Sequence, residues 1–525
     1  MASIQGFQGN ALIPNTKAYD RANNIYASSS FGKERDMNPG EIYQPSSIED
    51  IRMIVKYANQ VNKPIVIRTG GHQYSGASST NLNGIQLDLK PTFRRPGVDQ
   101  QLVNENGKVY MQSSVSWTMV ELYDFLTDNG VFLPTGQCAT VCLGGHVQTG
   151  GYGMLARSFG LLGDYIVSLD IVDAEGDAYT ITKQSHPDLF YGFLGGSPGN
   201  FGVITHFKVE LQEDVKHKGS KGLWMAFQYS EETLKYLLDI LIEKSEDANF
   251  PRGYDFGVNV LSRNINLLDV FPGSEDELRE TLPDWVMHKV TTLTNFKLAP
   301  IVVYVQWVNL PGEPVFDPSL FDRIREAPGS RIIEKNSGDD WGMSQIMRLW
   351  LFNGDREFGH PYVKRTNTTN STTLSEDGFS SWFTSRVEEL VEDRKNGLYI
   401  SSQLQVMGGK NSMCTKHAGN GTAYSWRDTT LCGTWDAFYD EKVTTKQKAV
   451  DWQKENDDGA KAHFAKQKHE RRLLWGSYGD WNMKDESVWR CYYEEESYRK
   501  LQKIKKQVDP KGVFTANPFC VEAAE

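Results

Sequence analysis

The sequence predicts a two-domain α+β protein, and three observations carry that expectation. The first 210 or so residues read as short strands interrupted by glycine clusters near residues 70–76, 144–153 and 193–202. Beyond them the texture changes to long amphipathic helices interleaved with strands, the pattern of a mixed sheet backed by helices. A last helix, Tyr498–Val508, is stopped by Asp509-Pro510-Lys511-Gly512.

Taken in order, the chain first offers a helix over about 46–60. Ser46 is expected as its N-cap, and Glu49 three residues on completes a capping box. Ile51, Ile54, Val55 and Ala58 mark its apolar face. Asn62-Lys63-Pro64 closes it, and Ile65-Val66-Ile67 suits a buried strand. Ile85–Leu89 and Val109–Ser113 are further strand candidates, and Thr118–Asn129 is helical up to Gly130. Tyr165–Asp173 reads as a strand turning at Glu175-Gly176. In the second half, helices are expected at Glu231–Glu246, Ser375–Asp393 and Lys442–Arg472, with strands at Ile301–Val308 and Tyr399–Val406.

Composition narrows the function classes. A net charge of −11 argues against a broad phosphate-backbone partner, so no nucleic acid is expected. No apolar run is long enough to cross a membrane. Met1–Asn10 is polar and lacks a signal core, so the chain is expected to be intracellular, or a mature form with the signal removed. Six cysteines in 525 residues are too sparse for a disulfide scaffold. Glycosylation-type triplets occur at Asn367, Asn370 and Asn420 but arise often by chance.

Two stretches bear chemistry. After the Ile65 strand come Arg68-Thr69-Gly70-Gly71-His72. Ser75, Gly76, Ser78, Ser79 and Thr80 continue a small, hydroxyl-rich loop suited to a phosphate-bearing ligand. The second stretch runs from Cys138 through Cys142 and Gly144-Gly145-His146 to Gly153. Cys138, Cys142 and His146 are spaced four apart and would share one face of a helix, which raises zinc. However, Gly144-Gly145 argue against a helix and no fourth ligand is evident, so no metal is expected. No G-x-G-x-x-G opens a helix in the right setting, and no G-K-[ST] loop occurs. What remains is a phosphate-bearing cofactor cradled by loops from several places.

These residues resemble a known family. Arg68-Thr69-Gly70-Gly71-His72, Gly136-Gln137-Cys138 with Gly144-Gly145-His146, and Gly195-Gly196 with Gly199-Asn200-Phe201-Gly202-Val203-Ile204-Thr205 are similar to motifs of the FAD-linked oxidases of the vanillyl-alcohol oxidase and p-cresol methylhydroxylase superfamily. The closing Tyr498-Arg499-Lys500-Leu501, Asp509-Pro510 and Val513-Phe514 resemble the berberine-bridge-enzyme-like branch, which includes sugar oxidases. The resemblance implies FAD bound twice covalently, through His72 to the flavin 8α-methyl carbon and through Cys138 to C6. It implies cofactor contacts from Arg68, Thr69, Gly70, Gly71, Gly144, Gly145, His146, Gly195, Gly199, Asn200 and Val203. Val141, three after Cys138, falls at a position that gates oxygen; its small branched side chain implies an oxidase making hydrogen peroxide. The implied fold is a two-domain vanillyl-alcohol-oxidase-like fold. Residues 1–210 and 475–525 form a discontinuous FAD domain, and 211–474 form the substrate domain.

The sequence departs from the branch where proton transfer is expected. Its sugar oxidases carry an Asp before a Gly-Gly, and a Tyr near the C-terminus. Here Gln405 precedes Met407-Gly408-Gly409 in place of the Asp. Trp481, or Met483 in a shifted alignment, falls at the Tyr. None of the three side chains can act as a general base. Tyr478 and Asp480 are the nearest titratable candidates, so the catalytic set is expected among Tyr478, Asp480, Trp481 and Gln405. The expected reaction is hydride transfer from a small-molecule alcohol or sugar hemiacetal carbon to flavin, with O2 as acceptor and a monomeric enzyme. Oxidation or oxidative cyclisation of a specialised metabolite, a dehydrogenase using another acceptor, and a flavin-carrying binding protein are the alternatives.

Overall fold

A computed structural model describes residues 4–24, 37–73, 76–262, 299–348, 350–351, 361–392, 396–464, 472–474 and 482–524. The first helix that matters for the site is Ile48–Val61. Its cap is Ser47, whose hydroxyl accepts from the Asp50 amide at 3.2 Å, while the Asp50 carboxylate takes the Ser46 amide and hydroxyl at 2.8 and 2.6 Å. The cap sits one residue later than expected because Asp50, not Glu49, occupies the third helical position and faces back. Asn62 turns left-handed (φ 54°), and the chain enters the strand that ends at the first glycine pair.

Three small sheets build the first half. Strands β1 (Asn10–Leu12), β2 (Glu41–Gln44), β3 (Ile65–Arg68) and β4 (Ile85–Asp88) pair in the order β1-β2-β4-β3, with β2 and β3 parallel to β4. Strands β5 (Gln100–Glu105), β6 (Lys108–Ser114), β8 (Ile166–Val172), β9 (Ala178–Thr182) and β10 (Val203–Glu210) form an antiparallel sheet ordered β5-β6-β10-β8-β9. Between them, β7 (Val131–Phe132) pairs with β11 (Gln212–Glu213). One apolar core runs through these sheets, with Ile54, Ile65, Leu87, Leu122, Leu169 and Phe207 all buried.

The second half is a single seven-stranded antiparallel sheet. Its strands are β12 (Lys221–Gln228), β13 (Tyr254–Leu261), β14 (Pro300–Trp307), β15 (Arg331–Asn336), β16 (Tyr362–Thr369), β17 (Leu398–Val406) and β18 (Leu431–Tyr439), ordered β15-β12-β14-β13-β17-β18-β16. Side chains alternate along each strand. Phe256, Val258, Val303, Ile400, Leu404 and Trp435 join one apolar core with the helices Glu231–Glu246 and Phe379–Glu392. The intervening residues face the first half. Phe379–Glu392 starts later than expected because Gly378 turns at φ 74°. The expected helix Lys442–Arg472 begins at Lys446, since Asp440 first closes a turn by accepting the amides of Val443 and Thr444 at 2.8 Å. It is seen to Phe464, and residues 465–471 lie outside the described set.

Two clasps fix this architecture. Arg157 of the first half is fully buried. Its guanidinium donates to the carbonyls of Phe250 (2.9 Å), Pro251 (3.0 Å), Gly408 (2.7 Å) and Tyr254, and stacks over Phe250. Its amide reaches the buried Asp255 at 2.8 Å. The second clasp comes from the far end of the chain. Val513 accepts from the Ile65 amide (2.6 Å), Asn200 donates to Phe514 (2.8 Å) and accepts from the Val521 amide (2.9 Å), and Thr80 donates to Ala516 (2.7 Å). Among the described residues no helix is long and apolar enough to cross a membrane. Of the three glycosylation-type triplets, Asn367 is buried within β16.

Candidate active site

The glycine loops and the seven-stranded sheet face each other across one cavity of about 240 Å³. On the first half it is lined by Thr69, Gly70, Gly71 and His72, by Cys138 and Val141, and by Gly144, Gly145, His146 and Gly199. On the sheet side it is lined by Tyr304, Lys364, Gln403, Gln405, Cys432 and Thr434.

Local structure explains how His72 and Cys138 come together. β3 ends at Arg68, and Gly71 takes φ 69°, which releases His72 toward the cavity. The Cys138 loop is laid on the start of the helix Met119–Asp128: the Met119 and Val120 amides donate to Val141 and Ala139 at 2.8 and 3.0 Å. The Thr140 hydroxyl lies 3.2 Å from His72 Nε2 and 4.0 Å from Cys138 Sγ, so it bridges the two. Thr140 was not legible in the sequence, because a hydroxyl in a turn carries no signature.

Gly144 and Gly145 do lie in a helix, Leu143–Thr149, contrary to expectation. Packing overrides propensity here: a side chain on Gly144 would come 2.8 Å from Thr69, whereas one on Gly145 would meet nothing, because that position faces the cavity. The spacing of Cys138, Cys142 and His146 does not place them on one helical face, since the helix begins only at Leu143. Burial pushes the Cys142 thiol up to about 12, and among the described residues no group could hold a metal ion.

His146 instead shapes the Cys138 loop from beneath. Its Nε2 accepts from the Gly136 amide at 3.0 Å, and desolvation lowers its pKa from 6.5 to about 4. A histidine depressed in the folded state contributes stability that is complete above its ordinary pKa and is lost as pH falls toward the folded value. Between pH 7 and 4 this one residue is expected to cost about 3 kcal/mol. Urea unfolding across that range should show the slope, and His146→Gln, which keeps an acceptor without titrating, should flatten it.

The structure places several expected cofactor residues away from the cavity lining. Arg68 is paired with Asp88 at 2.9 Å, both buried. Asn200 anchors the far end of the chain as described above, and Val203 is core in β10. Gly195 is pressed against Ala423 and Tyr424, where a side chain would come within 2.4 Å of backbone. Their motifs hold the cradle's shape from behind. Gln405 does line the cavity, and its Nε2 donates to the Gly153 carbonyl at 2.6 Å. Met483 is buried in the core, its amide bonded to Pro518, so the shifted alignment does not bring it to the site. Tyr478, Asp480 and Trp481 lie outside the described residues.

The lining fits FAD. The Gly70 and Gly71 amides have no hydrogen-bond partner among the described residues. Buried Gln73 Oε1 and Ser78 Oγ also have none and border the same cavity. Donors and acceptors left open beside glycines are what a polar, phosphate-bearing ligand requires.

The fold is the two-domain vanillyl-alcohol-oxidase-like fold. Residues 39–182 match the FAD binding domain family, and 477–518 match the berberine and berberine-like family. Berberine bridge enzyme-like 12 of Arabidopsis thaliana is 37% identical over 204 residues, 38% of this chain and 36% of that protein. The matched stretches span 36% to 60% of the lengths of the first curated relatives. Among solved structures, Physcomitrella patens BBE-like 1 has a TM-score of 0.71 at 17% identity, covering 99% of both chains. Glucooligosaccharide oxidase from Acremonium strictum, described with a 6-S-cysteinyl, 8α-N1-histidyl FAD, has a TM-score of 0.70 at 17% identity, covering 98% of this chain and 97% of that one. These structural likenesses establish the fold.

Proposed function

We propose that the protein is an FAD-dependent oxidase of a small polyhydroxylated alcohol or sugar, with its cofactor held covalently by His72 and Cys138. When bound, FAD accepts the hydride that leaves the substrate carbon and passes the electrons to O2, giving H2O2. The observation that carries the substrate class is the sheet wall opposite the cradle. Gln403, Gln405, Thr434 and Lys364 make it polar, which suits hydroxyl groups better than an apolar ring system. The juxtaposition of His72 and Cys138 across Thr140 supports the double attachment. Val141 beside Cys138 supports oxygen as the acceptor.

The chain's own residues must also remove a hydroxyl proton. Among the described residues no carboxylate lines the cavity. The Tyr152 and Tyr304 phenols do line it, but burial raises both well above the ordinary value and keeps them protonated at neutral pH. Gln405, held by Gly153, orients without ionising. The proton acceptor is therefore assigned to Tyr478 or Asp480. One of Tyr478→Phe and Asp480→Asn is expected to lower kcat by about 10²–10⁴ with flavin content unchanged. The function is tested by coupling H2O2 formation to a panel of neutral sugars, polyols, phenols and amines. Bleaching of the flavin by phenols or amines alone would overturn the substrate class, and reduced flavin that stays reduced in air would overturn the oxidase assignment.

A further inference from the structure

We infer that Lys364 and Asp436 form a distal recognition pair that reads hydroxyl groups at the far end of an extended, neutral substrate; this rests on the oxidase reading of the same cavity. The sheet face toward the cofactor cradle is ruled in rows by the strand register. Gln405 and Cys432 are paired neighbours in the row against the cradle, where Gln405 touches Gly153. The next row is Asn259, Gln403, Thr434 and Thr366. The third holds Asp436 between Ser401 and Lys364. Asp436 lies four positions beyond Cys432 along β18, a run of about 14 Å. That distance excludes Asp436 from proton transfer at a carbon beside Gln405, and it exceeds the reach of a single sugar ring.

The pair has the chemistry of a hydroxyl reader. Lys364 Nζ lies 3.2 Å from Asp436 Oδ2, with side-chain exposures of 8% and 3%. Lys364 itself lines the cavity. Lys364 presents its ammonium to the cavity as a donor to a substrate hydroxyl, and Asp436, behind it, holds that ammonium in place. The ammonium is already balanced by Asp436, so this end of the cavity has no unbalanced charge to hold a charged substrate. Stability does not account for the pair, because buried ion pairs are commonly replaceable by apolar residues of similar volume without loss. In the row between, Gln403 and Thr434 line the same cavity, and behind them both amide atoms of Asn259 and the Thr366 hydroxyl are buried with no hydrogen-bond partner among the described residues.

The test uses the holoenzyme with α-1,4- and β-1,4-linked glucose oligomers of one to four units. Two readouts are taken: KM and kcat from oxygen uptake, and anaerobic binding from tryptophan fluorescence. For the wild type, kcat/KM should rise with length. Lys364→Met and Asp436→Asn should each remove at least tenfold of that gain, in KM and in the binding constant and not in kcat. The double variant should fall no further than the weaker single one, since either loss breaks the reader. Thr366→Val, which keeps the pair and the volume, should remove about threefold and reports on the same face if Lys364→Met does not fold. A length gain that survives in these variants overturns the inference and leaves the oxidase reading standing. If no oligomer bleaches the flavin or changes the fluorescence, the sugar reading and this inference fall together.

Discussion

Acid precipitation of the His72→Ala/Cys138→Ala double variant is expected to give a colourless pellet, whereas the wild type and each single variant stay yellow. One covalent bond is enough to carry the flavin through denaturation, so only the double change releases it. The expectation follows from the shared cavity wall: His72 and Cys138 both line it, and Thr140 stands between them. A wild-type pellet that washes white would refute covalent attachment. A single variant that washes white would reduce the attachment to one bond and name it. Thr140→Val is the companion measurement. It removes the hydroxyl beside the imidazole while leaving both attachment atoms, so it should slow acquisition of colour without preventing it.

The largest stability effect is expected at Arg157. Arg157→Met keeps much of the aliphatic stem but leaves four carbonyls without their donor, and Asp255 buried without its counter-charge. Leaving buried carbonyls without a donor and a buried carboxylate without a nearby cation costs about 3 kcal/mol or more. The midpoint of urea unfolding should fall accordingly. Adding Asp255→Asn to Arg157→Met should recover part of the loss, because the orphaned charge is then gone. A double variant no more stable than the single one would show that Arg157 acts through the carbonyls alone. Burial raises the Asp255 pKa to about 6 even beside Arg157. Its contribution is therefore complete below the ordinary carboxylate value and is lost as pH rises through 6, opposite in sign to that of His146.

The cradle was legible in the sequence because its chemistry is local. Thr69 to His72, and Cys138 with Gly144 and Gly145 a few residues on, are short local stretches whose residues line the cavity. Arg157 and Asp255 could not be paired by reading, since 98 positions separate them and nothing near either names the other. The same holds for Lys364 and Asp436, which the β16–β18 register alone makes neighbours. Tyr254–Leu261 does alternate, with Tyr254, Phe256, Val258 and Val260 on the apolar face, but Gly257 and Asn259 weaken it as a strand signal. Gly257 is needed because a side chain there would lie 2.3 Å from Tyr304. Glycine argues against a helix at Gly144 through its low propensity, yet the close approach of Thr69 is what sets the residue there.

The bonds from Val513, Phe514, Ala516 and Val521 to Ile65, Asn200 and Thr80 impose an order on biosynthesis. The Ile65 strand and the Asn200 turn leave the ribosome long before their partners, Asn200 and Phe514 being 314 residues apart. The glycine loops are therefore held in shape only after the C-terminal segment has been made and returned to them. Flavin capture becomes a post-translational event, and colour becomes a mark of chains that have been synthesised through to their last clasp.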